Sequence, residues 1–557
     1  KPTTKDRCLV LSRGPPKDNS ERVSSRRRFL GKAGAILMSS ELAGLLNCSP
    51  RISPVDRERS RAIRRQRRLI LDDDGDLVYA SQTSKGAEAF LALRLQPILG
   101  TAIDSIAWCI MWGIAQGLGK TRYWETQQCG RPLNNAIQDP TPIMVDGAHR
   151  NCLEIFGSLR MNDTHDAFGM PEGKLVYPLK VRHPKWLLGD RSQKGSPFTS
   201  LGAAMWSGLN FAVPEVREDR LWWIRHAVQS YEIDGVDLNF FRMPWYFKLG
   251  QEEANMSLMT DLIRSARRIV DEVAESRQRP ILLGVRTPGT LVTCRRIGLD
   301  VETWLKEHLV DRLLVGGGYT VFTNPVQELV RLGHRHEVPV YPCINCGLDI
   351  FASDEAMRGA ASNIFSAGAD GIYLWNYQYR KVPMVAYGQP ESTAYSVLED
   401  IGSTPGLTFR DKLFGLDYHQ DIGPYAIASS PGQLPLELTS GHPGPRQTFQ
   451  VPVGDDVAAA DRAGKFRQAS LELRFRDLAP GQGIGARLNQ ETLEPKRSLV
   501  PKDDSSGSWV SFCCPLEARM IQQGMNQLDV WVKHSATKQS STTLQQVWLR
   551  VGYVVGS

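Results

Sequence analysis

The sequence predicts an α/β fold, a (β/α)8 TIM barrel followed by a C-terminal antiparallel β-sandwich. Short apolar runs alternate with longer helical segments over residues 69–401, which is typical of a parallel sheet covered by helices. Eight such strand–helix units fit a closed barrel. After about residue 425 the helical periodicity ends, and short alternating runs separated by Pro, Gly, Asp and Ser indicate a sandwich.

The elements follow from the hydrophobic periodicity in chain order. Continuous apolar runs predict the eight barrel strands at 69–71, 103–112, 153–159, 235–241, 281–285, 312–315, 338–344 and 371–375. Segments with helical spacing predict helices at 85–95, 145–152, 215–231, 252–277, 301–308, 325–336, 353–367 and 391–401. Alternating runs predict sandwich strands at 448–453, 470–475, 485–488, 509–513, 527–532 and 545–554. Asp72-Asp73-Asp74 follows the first strand where a dinucleotide-binding sheet would have glycines, so no cofactor is predicted.

Charge divides the chain into a basic head and a mildly acidic body. Residues 1–68 contain 18 Lys and Arg against 6 Asp and Glu, which gives them a net charge of +12. Since the whole chain has a net charge of +7, the remaining residues have a net charge of −5. The body therefore gives no reason to expect nucleic-acid binding. We predict three parts: a signal and basic linker at 1–66, the barrel at 67–425 and the sandwich at 426–557, with the join between barrel and sandwich somewhere in 404–440.

The N-terminal segment of the chain has the pattern of an export signal. Ser25-Arg26-Arg27-Arg28-Phe29-Leu30-Gly31-Lys32 precedes a weakly apolar stretch at 33–46, which is typical of a twin-arginine signal. The alternative is a basic, disordered N-terminus. Cys48 is a weaker candidate for a lipid anchor. No run of about 18 uncharged apolar residues predicts a transmembrane helix, so we expect an exported bacterial protein, periplasmic or extracellular.

Two further basic or cysteine-containing segments have plain interpretations. Seven arginines between Arg57 and Arg68 suggest a solvated linker or an amphipathic lead-in to the first strand, with anionic polymer or lipid binding as the alternative.

Cys343-Ile344-Asn345-Cys346 is a lone CxxC without a second pair, so a structural role is favoured over zinc or redox chemistry. The ten scattered cysteines imply no disulfide framework, although an exported chain can carry one bridge.

The active site of such a barrel lies at the carboxyl ends of its strands. There the sequence places carboxylates, arginines, an imidazole and aromatic rings, which suit a site that stacks on sugar rings and binds hydroxyl or anionic groups. Tryptophans would stack, and arginines would bind the substrate, including sulfate or carboxylate groups. The predicted substrate-binding residues are Asp73, Asp74, Trp112, Trp124, Glu125, Arg160, Asn162, His165, Asn239, Arg242, Arg286, Tyr319, Asn345, Trp375 and Asn376.

Asp237 is the predicted catalytic nucleophile or base. Strand alternation directs it into the barrel near the end of the fourth strand, and Arg242 just beyond is expected to hold it ionised. Asp163 or Asp166, on the loop after the third strand, is the predicted partner acid, because glycosidic cleavage needs two carboxyl groups. The alternatives are a buried structural Asp–Arg pair at Asp237 and a cation site formed by the loop with Asp72-Asp73-Asp74.

Three segments carry a resemblance to a known family: His183-Pro184-Lys185-Trp186-Leu187-Leu188-Gly189, the Asn-x-x-x-Pro-Glu-Val-Arg segment at 210–217, and Asp234-Gly235-Val236-Asp237-Leu238-Asn239. Together they resemble glycoside hydrolase-like family 10, exported bacterial proteins common in planctomycetes. The resemblance covers roughly residues 69–400 and implies carbohydrate hydrolysis without naming a sugar. Family members usually have acidic residues at both positions occupied here by Asp237 and Asn239, so Asn239 departs from the pattern.

The sequence therefore predicts an exported glycoside hydrolase acting on a polysaccharide or oligosaccharide. Its sandwich would be a carbohydrate-binding or barrel-supporting module. Two alternatives stay open: a non-catalytic glycan-binding surface protein on a barrel scaffold, which Asn239 favours, and a metal-dependent hydrolase that uses the Asp and His cluster.

Overall fold

The described chain is a closed eight-stranded barrel followed by a two-sheet sandwich. The structure is a computed structural model, and it describes residues 53–73, 86–110, 140–164, 167, 177–193, 205–316, 322–375, 377, 395–416, 427–428, 430, 432–439, 444–479, 481–498, 509–534 and 541–554. The predicted fold class is confirmed. The predicted export signal and Cys48 lie outside the described residues.

The barrel strands are parallel and pair in chain order, with the eighth strand closing onto the first. Their alternate residues face the barrel interior and the surrounding helices, so both faces of the sheet are buried. The strands are β1 Leu69–Asp73, β2 Ile103–Cys109, β3 Glu154–Arg160, β4 Gly235–Asn239, β5 Leu282–Thr287, β6 Arg312–Val315, β7 Val340–Asn345 and β8 Ile372–Trp375.

Helices cover the barrel and turn their apolar side chains toward the strands. The longest, α6, buries Met259, Ile263, Ala266 and Val270, which recur at the three- and four-residue spacing of one helix face. The helices are α1 Pro54–Ile63, α2 Ala87–Arg94, α3 Thr141–Arg150, α4 Pro178–Arg182, α5 Pro214–Ser230, α6 Met256–Arg277, α7 Leu291–Arg296, α8 Val301–Lys306, α9 Gln327–Arg335, α10 Asp354–Ser366, α11 Val397–Ile401 and α12 Thr404–Leu407.

The arginine-rich segment before β1 is a folded part of the barrel. It forms α1, from which Arg59 Nε donates to Asp311 Oδ1 at 2.9 Å. Arg67 is fully buried, and its guanidinium binds Glu154 at 2.6 and 2.9 Å. These arginines are therefore occupied by barrel carboxylates at the amino-terminal end of the strands, as expected for a lead-in to the first strand.

A carboxylate near the start of every second strand holds the first residues of the preceding strand. Each accepts a backbone N–H, at 2.7–2.8 Å, and also binds an arginine or histidine side chain. The four backbone contacts join Arg68 to Asp104, Ile155 to Asp234, Leu283 to Asp311 and Val340 to Asp370. Their side-chain partners include Arg68, His149, Arg267 and His334 in the same order. The repeat ties neighbouring strands together in pairs around the amino-terminal end of the barrel.

One of these contacts gives the stability of the barrel a pH dependence. The hydrogen bond to Asp234, at 2.9 Å, raises the pKa of His149. A raised pKa means that the stabilisation is fully present below the unfolded value of about 6.5 and is lost as the pH rises through the folded value. We therefore expect His149→Gln to lower the thermal midpoint more at pH 5.5 than at pH 8.5.

The measurement is the difference in midpoint between the wild type and the variant at each pH. His336→Gln is the matched control, since among the described residues no carboxylate pairs with His336. A difference that stays constant across this pH range would show that His149 does not act through its charge.

The sandwich consists of two antiparallel sheets around their own apolar core. One sheet has the order β10-β18-β12-β16-β15, with β9 also paired to β18, and the other has the order β11-β17-β13-β14. The strands are β9 Lys412–Gly415, β10 Leu436–Thr439, β11 Gln447–Val453, β12 Phe466–Arg476, β13 Gly483–Leu488, β14 Glu491–Leu493, β15 Lys496–Ser498, β16 Trp509–Leu516, β17 Gly524–His534 and β18 Ser541–Tyr553. A short helix, α13 Val457–Arg462, follows β11.

Barrel and sandwich meet around a buried polar cluster. Asp455, just after β11, accepts hydrogen bonds from Ser362 of α10 at 2.5 Å and from the Tyr553 hydroxyl at 2.6 Å. Lys412 of β9 lies 2.8 Å from the same carboxylate and is almost fully buried. Since β9 pairs with β18, Lys412 belongs to the sandwich sheet, and the contacts of Asp455 with Lys412, Tyr553 and Ser362 join the sandwich to helix α10 of the barrel.

Cys343 and Cys346 are buried and form no disulfide. Burial raises the pKa of the Cys343 thiol to about 12, which suits the structural interpretation. Cys152 is disulfide-bonded.

Among the helices of the described residues, none combines the length and apolarity needed to cross a membrane.

Candidate active site

The barrel interior contains a buried ion pair formed by Asp237 and Arg312. Arg312 Nε donates to Asp237 Oδ1 at 2.9 Å, a second contact joins Nη2 to Oδ2, and the two side chains are 0–1% exposed. The pair passes over Gly284 of β5, where a Cβ would collide with the Asp237 carboxylate. Arg312 also lies 3.2 Å from the ring centre of Phe156. This arrangement fits the alternative that Asp237 belongs to a structural pair.

The partner predicted for Asp237 is therefore wrong. Arg242 does not bind it; its guanidinium lies 5.6 Å from the ring centre of Trp375 at the mouth. Arg242 cannot reach Asp237 because the two residues lie at different heights along the barrel axis. Asp237 is in the middle of β4, two residues before the end of the strand at Asn239, whereas Arg242 follows that end. Alternation directs Asp237 inward, as expected, but it lies one layer below the mouth.

The layer above this pair holds a carboxylate at the end of β1. Asp72 is 1% exposed, and the hydroxyl of Tyr373, on β8, donates to its Oδ1 at 2.6 Å. Burial raises the pKa of Tyr373 well above its ordinary value, so the phenol stays protonated and remains a donor. Asp72 is thus a carboxylate positioned by a neutral hydrogen-bond donor near the carboxyl end of the barrel.

A guanidinium crosses the barrel interior beside this carboxylate. Arg286 of β5 is fully buried, and its Cζ lies 4.6 Å from the ring centre of Trp375 and 5.1 Å from that of Tyr373. Its Nη2 lies 3.7 Å from Cys343 Sγ. The side chain therefore extends from β5 toward β7 and β8, and it places a positive charge among aromatic rings in the layer of Asp72.

The loop after β3 supplies a second carboxylate at the mouth. Asp163 is 6% exposed, and Arg160 Nη1 donates to its Oδ2 at 3.1 Å. Lys180 donates to the carbonyl oxygen of Asp163 at 2.5 Å and so fixes the loop backbone. An ion pair favours the ionised carboxylate, which suits an electrostatic or base role better than that of a proton donor.

Three predicted substrate-binding side chains have structural partners. The Asn162 amide nitrogen donates to the carbonyl oxygens of Leu209 and Trp245, and its Oδ1 accepts the backbone N–H groups of Asp163 and Leu209. These four hydrogen bonds use the full capacity of the amide. The predicted contact of Asn162 with substrate is therefore wrong. Asn239 Oδ1 accepts the N–H groups of Phe241 and Arg242 and caps the turn after β4. Asn345 Oδ1 accepts the N–H of Gly347 at 3.2 Å.

Asp73 faces away from the barrel interior. Alternation along β1 turns Ile70 and Asp72 inward and Asp73 toward α2, where Arg94 Nη1 binds it at 2.6 and 2.7 Å. The expectation that Asp73 lines the substrate site is therefore corrected. The remaining predicted site residues lie outside the described part of the chain: Asp74, Trp112, Trp124, Glu125, His165, Asp166, Tyr319 and Asn376.

Sequence reasoning placed Asp72 at the mouth but assigned it only to a cation cluster, and it missed Tyr373 and Arg312. Counting alternation along β1 and β8 would have directed Asp72 and Tyr373 inward together. In the described residues, no group of three or more His, Cys, Asp and Glu side chains is arranged to hold a metal ion.

Comparisons with known proteins give structural similarities only. No family model matches the chain, and no curated protein matches it. Among solved structures it is similar to an α-L-fucosidase isoenzyme 2 from Paenibacillus thiaminolyticus (12% identity, TM-score 0.35), covering 61% of this chain and 49% of that one. It is also similar to the PgaB (BpsB) glycoside hydrolase domain from Bordetella bronchiseptica (12%, TM-score 0.38, 61% and 99% covered).

A third similar structure is a family GH18 chitinase from Chromobacterium violaceum (11% identity, TM-score 0.36), covering 88% of this chain and 91% of that one. The chain thus spans about half the length of the fucosidase and nearly all of the other two. These neighbours are glycoside hydrolases, and their scores are too low to bear on the activity of this chain.

Proposed function

We propose that the chain is a glycoside hydrolase whose reaction takes place at the carboxyl end of the barrel, with Asp72 as the nucleophile or base. The observation that carries the proposal is the Asp72–Tyr373 hydrogen bond of 2.6 Å in the layer of Arg286 and Trp375. It combines an oriented carboxylate, a neutral donor, a cation and an aromatic ring, which together with a second carboxyl group suit cleavage of a sugar acetal.

Each of these parts has a separate task in the proposed reaction. Asp72, kept in place by Tyr373, attacks the anomeric carbon or removes a proton from the attacking water, while the glycosidic C–O bond breaks and the leaving oxygen takes a proton from the second carboxyl group. Where Asp72 is the nucleophile, water then cleaves the bond between Asp72 and the sugar. Arg286 stabilises negative charge near Asp72, and its fixed position between rings means that little reorganisation accompanies the reaction. Trp375, almost fully buried and close to the Arg242 and Arg286 guanidinium groups, supplies an apolar wall beside the sugar ring.

The second carboxyl group comes from the loop after β3. Asp163 is ion-paired with Arg160, so we assign it to binding and electrostatic stabilisation of the substrate. Asp166, three residues further along the loop, is the remaining predicted proton donor and lies outside the described residues. The separation of the two reacting carboxyl groups decides between retention and inversion.

A panel of polysaccharides tests the proposal. Purified full chain is incubated with neutral, uronate-containing and sulfated polysaccharides, and new reducing ends are measured against a boiled-protein control. Release from at least one class supports hydrolysis. Binding without release would favour the non-catalytic glycan-binding alternative, and release only after metal addition would favour the metal-dependent one.

We also propose that the chain is exported through the twin-arginine route to the periplasm or the cell exterior. The Ser25–Lys32 pattern supports this, and so does the disulfide at Cys152, since disulfides persist in oxidising compartments. Replacing Arg26 and Arg27 with lysine should keep the protein in the cytoplasm, as measured by fractionation and immunoblotting. Unchanged export of the double variant would rule out this route.

A further inference from the structure

A tryptophan lies on the outer face of the four-stranded sheet of the sandwich. Trp531 is on β17 between Val530 and Val532, which are fully buried in the sandwich core, so alternation directs the indole to the opposite face. It is half-buried there. The residue opposite it on β13 is Gly485, where any Cβ would collide with the indole ring. Glycine thus lets the ring lie flat on the backbone of the neighbouring strand.

Two cationic side chains flank this indole. Arg446, just before β11, is exposed, and its Cζ lies 4.8 Å from the centre of the Trp531 ring. Lys533, two residues after Trp531, is also exposed and lies at a bulge in the pairing of β17 with β13. Within the described part of the chain, neither side chain forms an ion pair. A stacked arginine over a tryptophan is pre-oriented, so it loses little freedom when it binds an anion.

In the described part of this face, the acid on β17 is itself paired. Asp529 is bound by Arg487 at 2.6 and 2.9 Å and by the Thr448 hydroxyl at 2.7 Å. Gly483 and Gly485 of β13 present no side chains beside the indole. The surface formed by Trp531, Arg446, Lys533 and these glycines is called here the Trp531 surface. It is a shallow strip with an aromatic floor and a net positive charge.

We propose that the Trp531 surface binds an anionic polysaccharide. A sugar ring lies along the exposed edge of the indole, which packs on Gly485 and beneath Arg446, and carboxylate or sulfate groups on the chain pair with Arg446 and Lys533. The complementarity of charge selects an anionic over a neutral glycan, since a guanidinium binds planar oxyanions through two hydrogen bonds. This site is on a different domain from the barrel mouth, and it does not depend on hydrolysis there.

Binding by the full chain tests the proposal. Affinity is measured at physiological salt with polygalacturonate for carboxylates, dextran sulfate for sulfates, neutral dextran and a single-stranded DNA oligonucleotide. All proteins carry Asp72→Asn, so that cleavage of a probe cannot be mistaken for weak binding. Trp531→Ala should weaken binding of an anionic polysaccharide by roughly 30-fold, the scale for loss of a central aromatic anchor. Met525→Ala, exposed on the same face at the far end of β17, is the matched control and should bind as before.

Tighter binding of polygalacturonate would identify carboxylates as the recognised groups, and tighter binding of dextran sulfate would identify sulfates. Either result supports the proposal. Equal affinity for neutral dextran, tighter binding of the DNA, or unchanged binding by Trp531→Ala would overturn it. Should Trp531→Ala fail to fold, Arg446→Glu decides, because this exposed charge reversal should abolish the preference for anionic over neutral polysaccharide while leaving the sheet intact. A preference that survives Arg446→Glu would equally overturn the proposal.

Discussion

Replacing Asp72 with asparagine should lower turnover about 10²–10⁴-fold, the scale of losing general acid–base catalysis, and by more if Asp72 is the nucleophile. Asparagine keeps the size of the side chain and can still accept the hydrogen bond from Tyr373. The thermal midpoint should therefore change little. The measurements are the initial rate of reducing-end release on the best substrate and the midpoint of thermal unfolding.

Tyr373→Phe provides a graded control for the same site. It keeps the ring beside Arg286 and removes only the hydroxyl that holds Asp72. Turnover should fall about 10–100-fold, the effect of one hydrogen bond to a charged group. Wild-type turnover in the Asp72→Asn protein would rule out the proposed role of Asp72, whatever the result for Tyr373→Phe.

Replacing Asp237 with asparagine should instead act on stability. The change leaves the Arg312 guanidinium buried without its counter-charge, and breaking a buried ion pair in this way costs about 3–5 kcal/mol. For a domain of this size, the midpoint should fall by roughly 5–15 °C. Chemical denaturation at fixed pH gives the free energy of unfolding, and calorimetry gives the midpoint.

The double variant Asp237→Asn, Arg312→Met separates the loss of the pair from the cost of an unpaired charge. Because both charges of the pair are removed, no unpaired guanidinium is left at this position. The double variant should therefore recover part of the stability lost in the single variant. A single Asp237→Asn variant that unfolds like the wild type but loses turnover would contradict the structural role. It would return Asp237 to the catalytic role that the sequence predicted.

The fold was predictable because local periodicity determines it. The apolar runs of the barrel strands are continuous, since both faces of a parallel sheet are buried, and those of the sandwich alternate. Strand β6 at Arg312–Val315 has the predicted bounds, and the other barrel strands differ at their ends. The ends are less predictable because hydrogen bonding to loops, which has no periodicity, decides where each strand stops.

The site was only partly predictable, since alternation gives the side of a strand but not the height or the partner of a residue. It directed Asp237 inward, yet the side chain that binds it, Arg312, is 75 residues away in sequence. Selecting Arg242 by proximity in sequence was therefore wrong. Asp72 and Tyr373 illustrate the same limit, because only closure of the barrel brings β8 beside β1.

The proposed reaction places cleavage of the sugar beside Asp72 at the barrel mouth, above the Asp237–Arg312 pair. A crystal structure of the Asp72→Asn protein with the oligosaccharide that the wild type cleaves best tests it most directly. We expect the scissile sugar to lie against Trp375, with its anomeric carbon or the attacking water within about 3–3.5 Å of the side chain at position 72. A sugar bound with its scissile bond elsewhere, out of reach of position 72, would contradict the claim.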